Sequence, residues 1–378
     1  MCNSVHERMR NLGITTELLK SATGGARRLM VILLLGVCGS QLAVANPLER
    51  HMQRMLVADG EQWRTPNPGF DPEQGGPAAF GLAFELSPDR SHVTGRLTGI
   101  HDDGRQALYW SLLAFYNPVT EKVITRQIGW DGAHLFAEVP VQDGPVQIID
   151  MIHYKADGTL AYSRHENRFE SEDEHSSDVL EPDGKGGWQQ VQSWQWERHH
   201  LAGKGASPGK PATPTQLAPA LDKHAGFLLA GSGRWRAPNP AYASGGDMES
   251  AYEMAFRPGP HGQHIIGEIV SVYADGREQK DWSMYFTYNP VTQQVMQEQT
   301  GASGVYFLGE LDKLDNGRHT QSGTVFLPNG QARSVRDEVE IIDASHYISH
   351  VFERAGDGSW QKKREWTWTL QPVGGKHD

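Results

Sequence analysis

From about residue 60 onward, apolar and polar side chains alternate in short runs. In residues 107–116, Trp110, Leu112, Ala114 and Tyr116 fall on one side of an extended strand. Residues 123–125, 135–139, 146–154 and 188–196 form further runs rich in β-branched and aromatic residues. Turn signals separate them: Asp103-Gly104, Asn117-Pro118, Asp131-Gly132, Asp157-Gly158 and Asp183-Gly184. Asp-Gly suits a tight reversal because Gly accepts positive φ, and Pro presets its own φ. No segment holds a long period of 3.6. The pattern predicts an all-β antiparallel meander. A meander of this kind closes into a barrel or folds into a sandwich. Closure removes exposed edges, so antiparallel β-barrels are expected, with a β-sandwich as the alternative.

The pattern occurs twice. Trp63-Arg64 with Pro66-Asn67-Pro68 returns as Trp235-Arg236 with Pro238-Asn239-Pro240. Asp103-Gly104-Arg105 returns at 275–277, and Trp110-Ser111 at 282–283. Residues 116–120 return at 288–292, and Trp194 and Trp196 return as Trp366 and Trp368. Every offset is 172, and 26 of the 76 residues from 63 to 138 are identical without a gap. Two copies of one domain follow, over 55–200 and 227–372, in tandem. The Pro/Gly/Ala-rich stretch 201–226 between them reads as a solvated linker.

The N-terminal 45 residues differ in character. Arg27-Arg28 precede the apolar run 29–35, and Ala43-Val44-Ala45 precede Asn46-Pro47. A charged region, a short apolar run and an A-x-A site are expected to form a secretory signal cleaved after Ala45. Two minor readings compete. A lipoprotein box at Cys38 is disfavoured by Val37, and a twin-arginine signal by its flanking residues. The chain is therefore expected in the periplasm or secreted, with no membrane span after cleavage. Both cysteines, Cys2 and Cys38, lie in the removed segment, leaving no thiol for a disulfide, a nucleophile or a metal. Removing five basic and two acidic residues moves the net charge from −11 to −14. Such an acidic chain excludes nucleic acid as partner.

Together, an early Trp, a strand ending in Asp-Gly, a Tyr-Asn-Pro hairpin, a Gly-x-x-Gly turn (Gly129, Gly132) and a late Trp-x-Trp strand resemble the lipocalin-like, calycin-type barrels. They are similar in particular to uncharacterised, often exported bacterial domains of that class. The resemblance spans each copy nearly end to end. It implies an antiparallel barrel with an interior pocket, often for an apolar or amphipathic ligand, and supplies no catalytic residue. The lipocalin Gly-x-Trp opening is absent, since Arg-x-Pro-Asn-Pro follows Trp63 and Trp235.

The expected function is binding of a small hydrophobic or amphipathic ligand. Trp110, Tyr116, Trp194 and Trp196, with Trp282, Tyr288, Trp366 and Trp368, either stack on the ligand or fill the core. Arg164 and Glu166, matched by Arg336 and Glu338, share a strand face. They are either a polar pair inside the barrel orienting a head group or an exposed pair. Residues 170–175 form an acidic run without the ligand spacing of a calcium loop. His346 and His350 near Asp343, and His261 with His264, do not recur as pairs in the first copy, so no metal or other cofactor is expected. No nucleophile-elbow, zincin or phosphate-loop motif occurs. One rival is an isomerase, cyclase or hydratase using Glu166/Glu338 or His175/His346. A second is an envelope structural or interaction module with filled barrels. The ligand and the oligomeric state are left open.

Overall fold

The computed structural model describes residues 46–73, 75–200, 216–242, 248–301, 304–314 and 317–372. The expected signal segment 1–45 and residues 201–215 of the expected linker lie outside them.

Ten strands make the first barrel: β1 (Glu61–Pro66), β2 (Ala79–Leu86), β3 (His92–Ile100), β4 (Gln106–Asn117), β5 (Lys122–Gly129), β6 (His134–Pro140), β7 (Val146–Tyr154), β8 (Leu160–Phe169), β9 (Glu174–Pro182) and β10 (Trp188–His200). Ten more make the second: β11 (Arg234–Pro238), β12 (Glu249–Pro258), β13 (His264–Tyr273), β14 (Glu278–Asn289), β15 (Gln294–Gly301), β16 (Tyr306–Lys313), β17 (Arg318–Phe326), β18 (Ala332–Asp343), β19 (His346–Arg354) and β20 (Trp360–Leu370). Each set is an antiparallel meander whose first strand pairs with its last, so both sheets close and the sandwich is excluded.

The turns work as their residues dictate. Asp103 Oδ1 accepts the Arg105 backbone N–H at 3.0 Å, and Gly104 takes φ +83°. Asn117 Oδ1 accepts from Val119 and Thr120, and Asn289 does the same for Val291 and Thr292. Bulges recur at matching places. Tyr109 and Asp281 are skipped in the β3–β4 and β13–β14 registers, and Val191 and Lys363 in the last strands. The bulge at Lys363 turns Lys362 away from the face carrying Trp366 and Trp368.

Each barrel is plugged by a short helix, which the alternating pattern does not predict. Helix α1 (Pro47–Met52) puts Leu48 and Met52 into the first core, with Met55 after it. Helix α2 (Pro219–Ala225) puts Leu221 and Ala225 into the second, followed by Leu228. It occupies the end of the stretch expected to be solvated linker. Trp63 Nε1 donates to the Met55 carbonyl and Trp235 Nε1 to the Leu228 carbonyl, both at 3.0 Å. The opening Trp of each copy therefore ties a buried strand to its plug, and Arg198 lies 4.8 Å over the Trp63 ring.

The two barrels differ at one seam. β16 and β17 pair along eight residues, whereas β6 and β7 pair along only three. In the first barrel the Gln142 side chain takes the place of a strand there. Its Nε2 donates to the Ile148 carbonyl at 2.8 Å and its Oε1 accepts the Ile148 N–H at 2.7 Å. The barrels pack through the outward faces of β4–β6 and β14–β16. Leu113, Phe115, Ile124 and Ile128 meet Tyr285 and Tyr306 in a third apolar cluster. Phe115 stacks on Tyr306 with centroids 5.7 Å apart.

Candidate functional site

Inward parity places Trp110, Leu112, Ala114 and Tyr116 against the first core, and Trp282, Met284, Phe286 and Tyr288 against or beside the second. Trp194 and Trp196 join the first core, Trp366 and Trp368 the second. Trp368 Nε1 donates to Ser349 Oγ at 3.2 Å, while Trp196 Nε1 is buried without a partner in the protein.

The second barrel keeps a cavity of about 290 Å³. That is near the lower end of the usual size of small-molecule sites, about 300–1,000 Å³. Its wall is mostly apolar and aromatic: Phe256, Ile269, Trp282, Met284, Phe286, Phe307, Trp366 and Trp368 all contribute. Facing glycines shape one side. Gly309 pairs with Gly323, and a Cβ on either would meet the Phe307 ring within 3 Å. Without those methyls the ring lies flat against the wall.

Against this apolar lining stand a few polar groups: Gln297, Gln299, Gln321, Ser349 and Asp337. Asp337 is the informative one. It follows the parity of Val335 and Val339, which also line the cavity. Asp337 Oδ1 is buried and has no hydrogen-bond partner in the protein. Burial, and then the charge of Glu338, push its pKa up to about 7. Gln297 is 2% exposed, and its Oε1 is likewise without a donor. Sequence reasoning passed over Asp337. The alternation Val335-x-Asp337-x-Val339 carries the signal, but the repeated Arg and Glu flanking Asp337 are more conspicuous.

Those flanking residues do not enter the lumen, which corrects the head-group reading of Arg164, Glu166, Arg336 and Glu338. Arg164 binds both carboxylate oxygens of Asp150, at 2.6 and 2.9 Å, and lies 4.6 Å over Trp188. Glu166 pairs with Arg168. Arg336 contacts Glu338 at 3.0 Å and lies 4.9 Å over Trp360. Arg336 belongs to the cavity's wall, yet its guanidinium packs on that wall's outer side.

The first lumen has different chemistry at the same positions. His165 stands where the second copy has Asp337, and His153 where it has Val325. Burial, then the neighbouring His153, lower the His165 pKa to about 4. His153 lies 6.3 Å from Trp110, and its Nε2 lacks a partner, as do Ser163 Oγ and Thr125 Oγ1. His175, at the end of the acidic run, lies in β9. It is 0% exposed, edge-on to Trp63 at 4.4 Å and stacked on Trp196 at 6.0 Å. Burial lowers its pKa to about 4. His346 pairs with Asp343 and His350 with Glu365 on the outside, and His264 is buried. Among the described residues no three His, Cys, Asp or Glu converge as metal ligands. No described helix is long and apolar enough to cross a membrane.

The chain matches no family model and no curated protein in sequence. Among solved structures, one similar chain is a protein with unknown function from the DUF3598 family of Nostoc punctiforme. It is 14% identical, with 87% of this chain and 100% of that one covered, at a TM-score of 0.19. Another is a transferrin binding protein B from Haemophilus parasuis, 7% identical over 83% of this chain and 76% of that one, at a TM-score of 0.18. Overlaps this weak say nothing about what the present chain does; the paired strands alone establish it as a tandem of closed antiparallel β-barrels.

Proposed function

We propose that this tandem barrel protein binds a small amphipathic molecule inside its second barrel. The observation that carries the reading is the aromatic cavity of about 290 Å³ with Asp337 and a few amide side chains among its lining residues. Burying apolar ligand surface against Trp282, Phe286 and Trp366 supplies affinity, at roughly 25 cal/mol per Å² before the costs of association. The few polar groups set orientation. The cavity favours this role over that of a purely structural module, which needs no internal space.

The protein is further proposed to act outside the cytoplasm, on the strength of Arg27-Arg28, the apolar run and the Ala43-Val44-Ala45 site. Mass measurement of the chain recovered from the periplasm is expected to start at Asn46.

Native mass spectrometry of protein purified without detergent is expected to show a bound small molecule. Met284→Trp, which fills the cavity, is expected to abolish occupancy. A bound molecule retained by that variant places it elsewhere, and empty protein under every condition ends the proposal.

A further inference from the structure

We propose that the ligand of the second barrel is a small organic cation, an ammonium group on an apolar body, with Asp337 as its counter-charge. The inference rests on the reading of this lumen as a ligand site and names the chemical class it takes.

Three observations converge. First, Asp337 faces the cavity with one carboxylate oxygen unpartnered, and the basic residue beside it, Arg336, sends its guanidinium to the outer side of the wall. An ionised carboxylate in an apolar lumen costs several kcal/mol unless something pairs with it. Among the described residues no Lys, Arg or His pairs with Asp337, so the guest is the natural source. Second, a further lining side chain, Gln297 on β15, also holds a buried acceptor oxygen without a partner in the protein. Acceptors without donors suit a guest that brings donors, and an ammonium offers three donors and no acceptor. Third, Trp282, Trp366 and Phe286 turn aromatic surface to the same space, which favours a cation over a neutral guest.

The neighbours of the carboxyl leave the charge uncompensated. On β17 and β19 the residues opposite Asp337 are Gln321 and Val351. On the lumen side the titratable neighbours on the packed elements are Tyr347, which lines the cavity, and His319, opposite Val339 on β17. Tyr347 is held neutral by burial and then by the Asp337 charge, and His319 packs on Phe227 at 4.6 Å towards the plug. Glu338, Arg336, Arg318 and His350 belong to the outer side of the wall and pair there. Emptied of ligand, the carboxyl keeps its proton up to near neutrality. A cation must displace that proton, so its affinity rises with pH, whereas a neutral guest of the same shape is indifferent to pH. In the first barrel the matching position is His165, so that lumen has no carboxylate at this place.

The test uses the full chain and two probes of one shape, 2-phenylethylamine and 2-phenylethanol, in calorimetric titrations from pH 5 to 8.5. Amine affinity is expected to rise about tenfold per pH unit at the acid end and to flatten above pH 7.5. At pH 6, titrations in buffers of different ionisation heat are expected to show nearly one proton released per amine. Asp337→Asn keeps the shape and is expected to weaken amine binding at pH 8 by at least about tenfold, leaving the alcohol within about twofold. If amine and alcohol bind alike at every pH and the variant changes neither, charge selection is overturned while the binding role stands. If neither probe binds, both fall.

Discussion

Arg126 and Glu298 occupy the same position in the two copies, 172 residues apart, and they are bonded to each other. Nε and Nη2 of the arginine reach the two carboxylate oxygens at 2.7 and 3.1 Å, with side-chain exposures of 6% and 1%. Tyr306 donates to the same carboxylate at 3.2 Å. Burial opposes the charge on Arg126, but Glu298 outweighs it and raises the guanidinium pKa further. The barrels thus meet face to face through equivalent surfaces, as identical subunits do across a two-fold axis. Identical copies would bring like charges together at this point. Duplication within one chain let the position diverge into a complementary pair.

Reversing one partner is therefore expected to be costly. Arg126→Glu or Glu298→Arg leaves two like charges buried at the interface and should destabilise by about 3–5 kcal/mol. The double reversal should recover much of that loss. Denaturant unfolding of the four proteins measures the coupling, and additive single effects would show that the pair does not hold the barrels together.

Acid sensitivity follows from the buried imidazoles. Burial lowers the pKa of His51, His92, His165, His175 and His264 to about 4, and that of His134 to about 3. In the unfolded chain each takes a proton near pH 6.5 that the folded protein refuses. Stability is therefore full above pH 6.5 and falls as pH drops towards 4, by about 1.4 kcal/mol per unit for each group. Several such slopes add. A native state of ordinary stability, about 5–15 kcal/mol, should be lost within roughly two units below pH 6.5. Thermal melts across pH 4–8 measure this, and an acid midpoint below about pH 3 would contradict it.

Asp337 works in the opposite sense. Its folded pKa of about 7 lies above the ordinary value of 3.8. Its favourable contribution is complete below pH 3.8 and is lost as pH rises through 7. Asp337→Asn should change stability least at the acid end of the range in which the protein stays folded. It should raise stability increasingly up to pH 7 and hold a constant gain of at most about 4 kcal/mol above it. Guanidinium unfolding at pH 5.5 and 8 distinguishes this from a pH-independent change, which would place the carboxyl in contact with solvent.

The plugs are expected to be structural in both copies. Leu48 and Leu221 are each 0% exposed at the barrel ends. Leu48→Ala and Leu221→Ala should each cost about 2–5 kcal/mol through lost burial and the cavity left behind. A loss below about 1 kcal/mol in calorimetric melts would mean that the barrel closes without its helix.

Much of the architecture was legible because it is repetitive. Trp110 and Tyr116, like Trp282 and Tyr288, declare an inward face by simple alternation, and Asp103-Gly104 declares a turn by the φ its glycine adopts. The outer-wall position of Arg164 and Arg336 was not legible. Parity shows that Arg164 and Glu166 share a face, but nothing in that pair says which face is the lumen. His175 was masked by its acidic neighbours, although Trp63 and Trp196 enclose it in the fold.

The sequence alone determined the duplication, the strand-and-turn rhythm and the tryptophan-bearing inner faces, since these depend on residue spacing within a strand or across one hairpin. Tertiary structure decided the rest. It alone closed β1 on β10 and β11 on β20, docked the short helices as plugs, set Arg126 against Glu298 and left Asp337 facing open space. Each of these joins residues far apart in the chain, and what a side chain meets across such a distance is governed by packing, which no local pattern records.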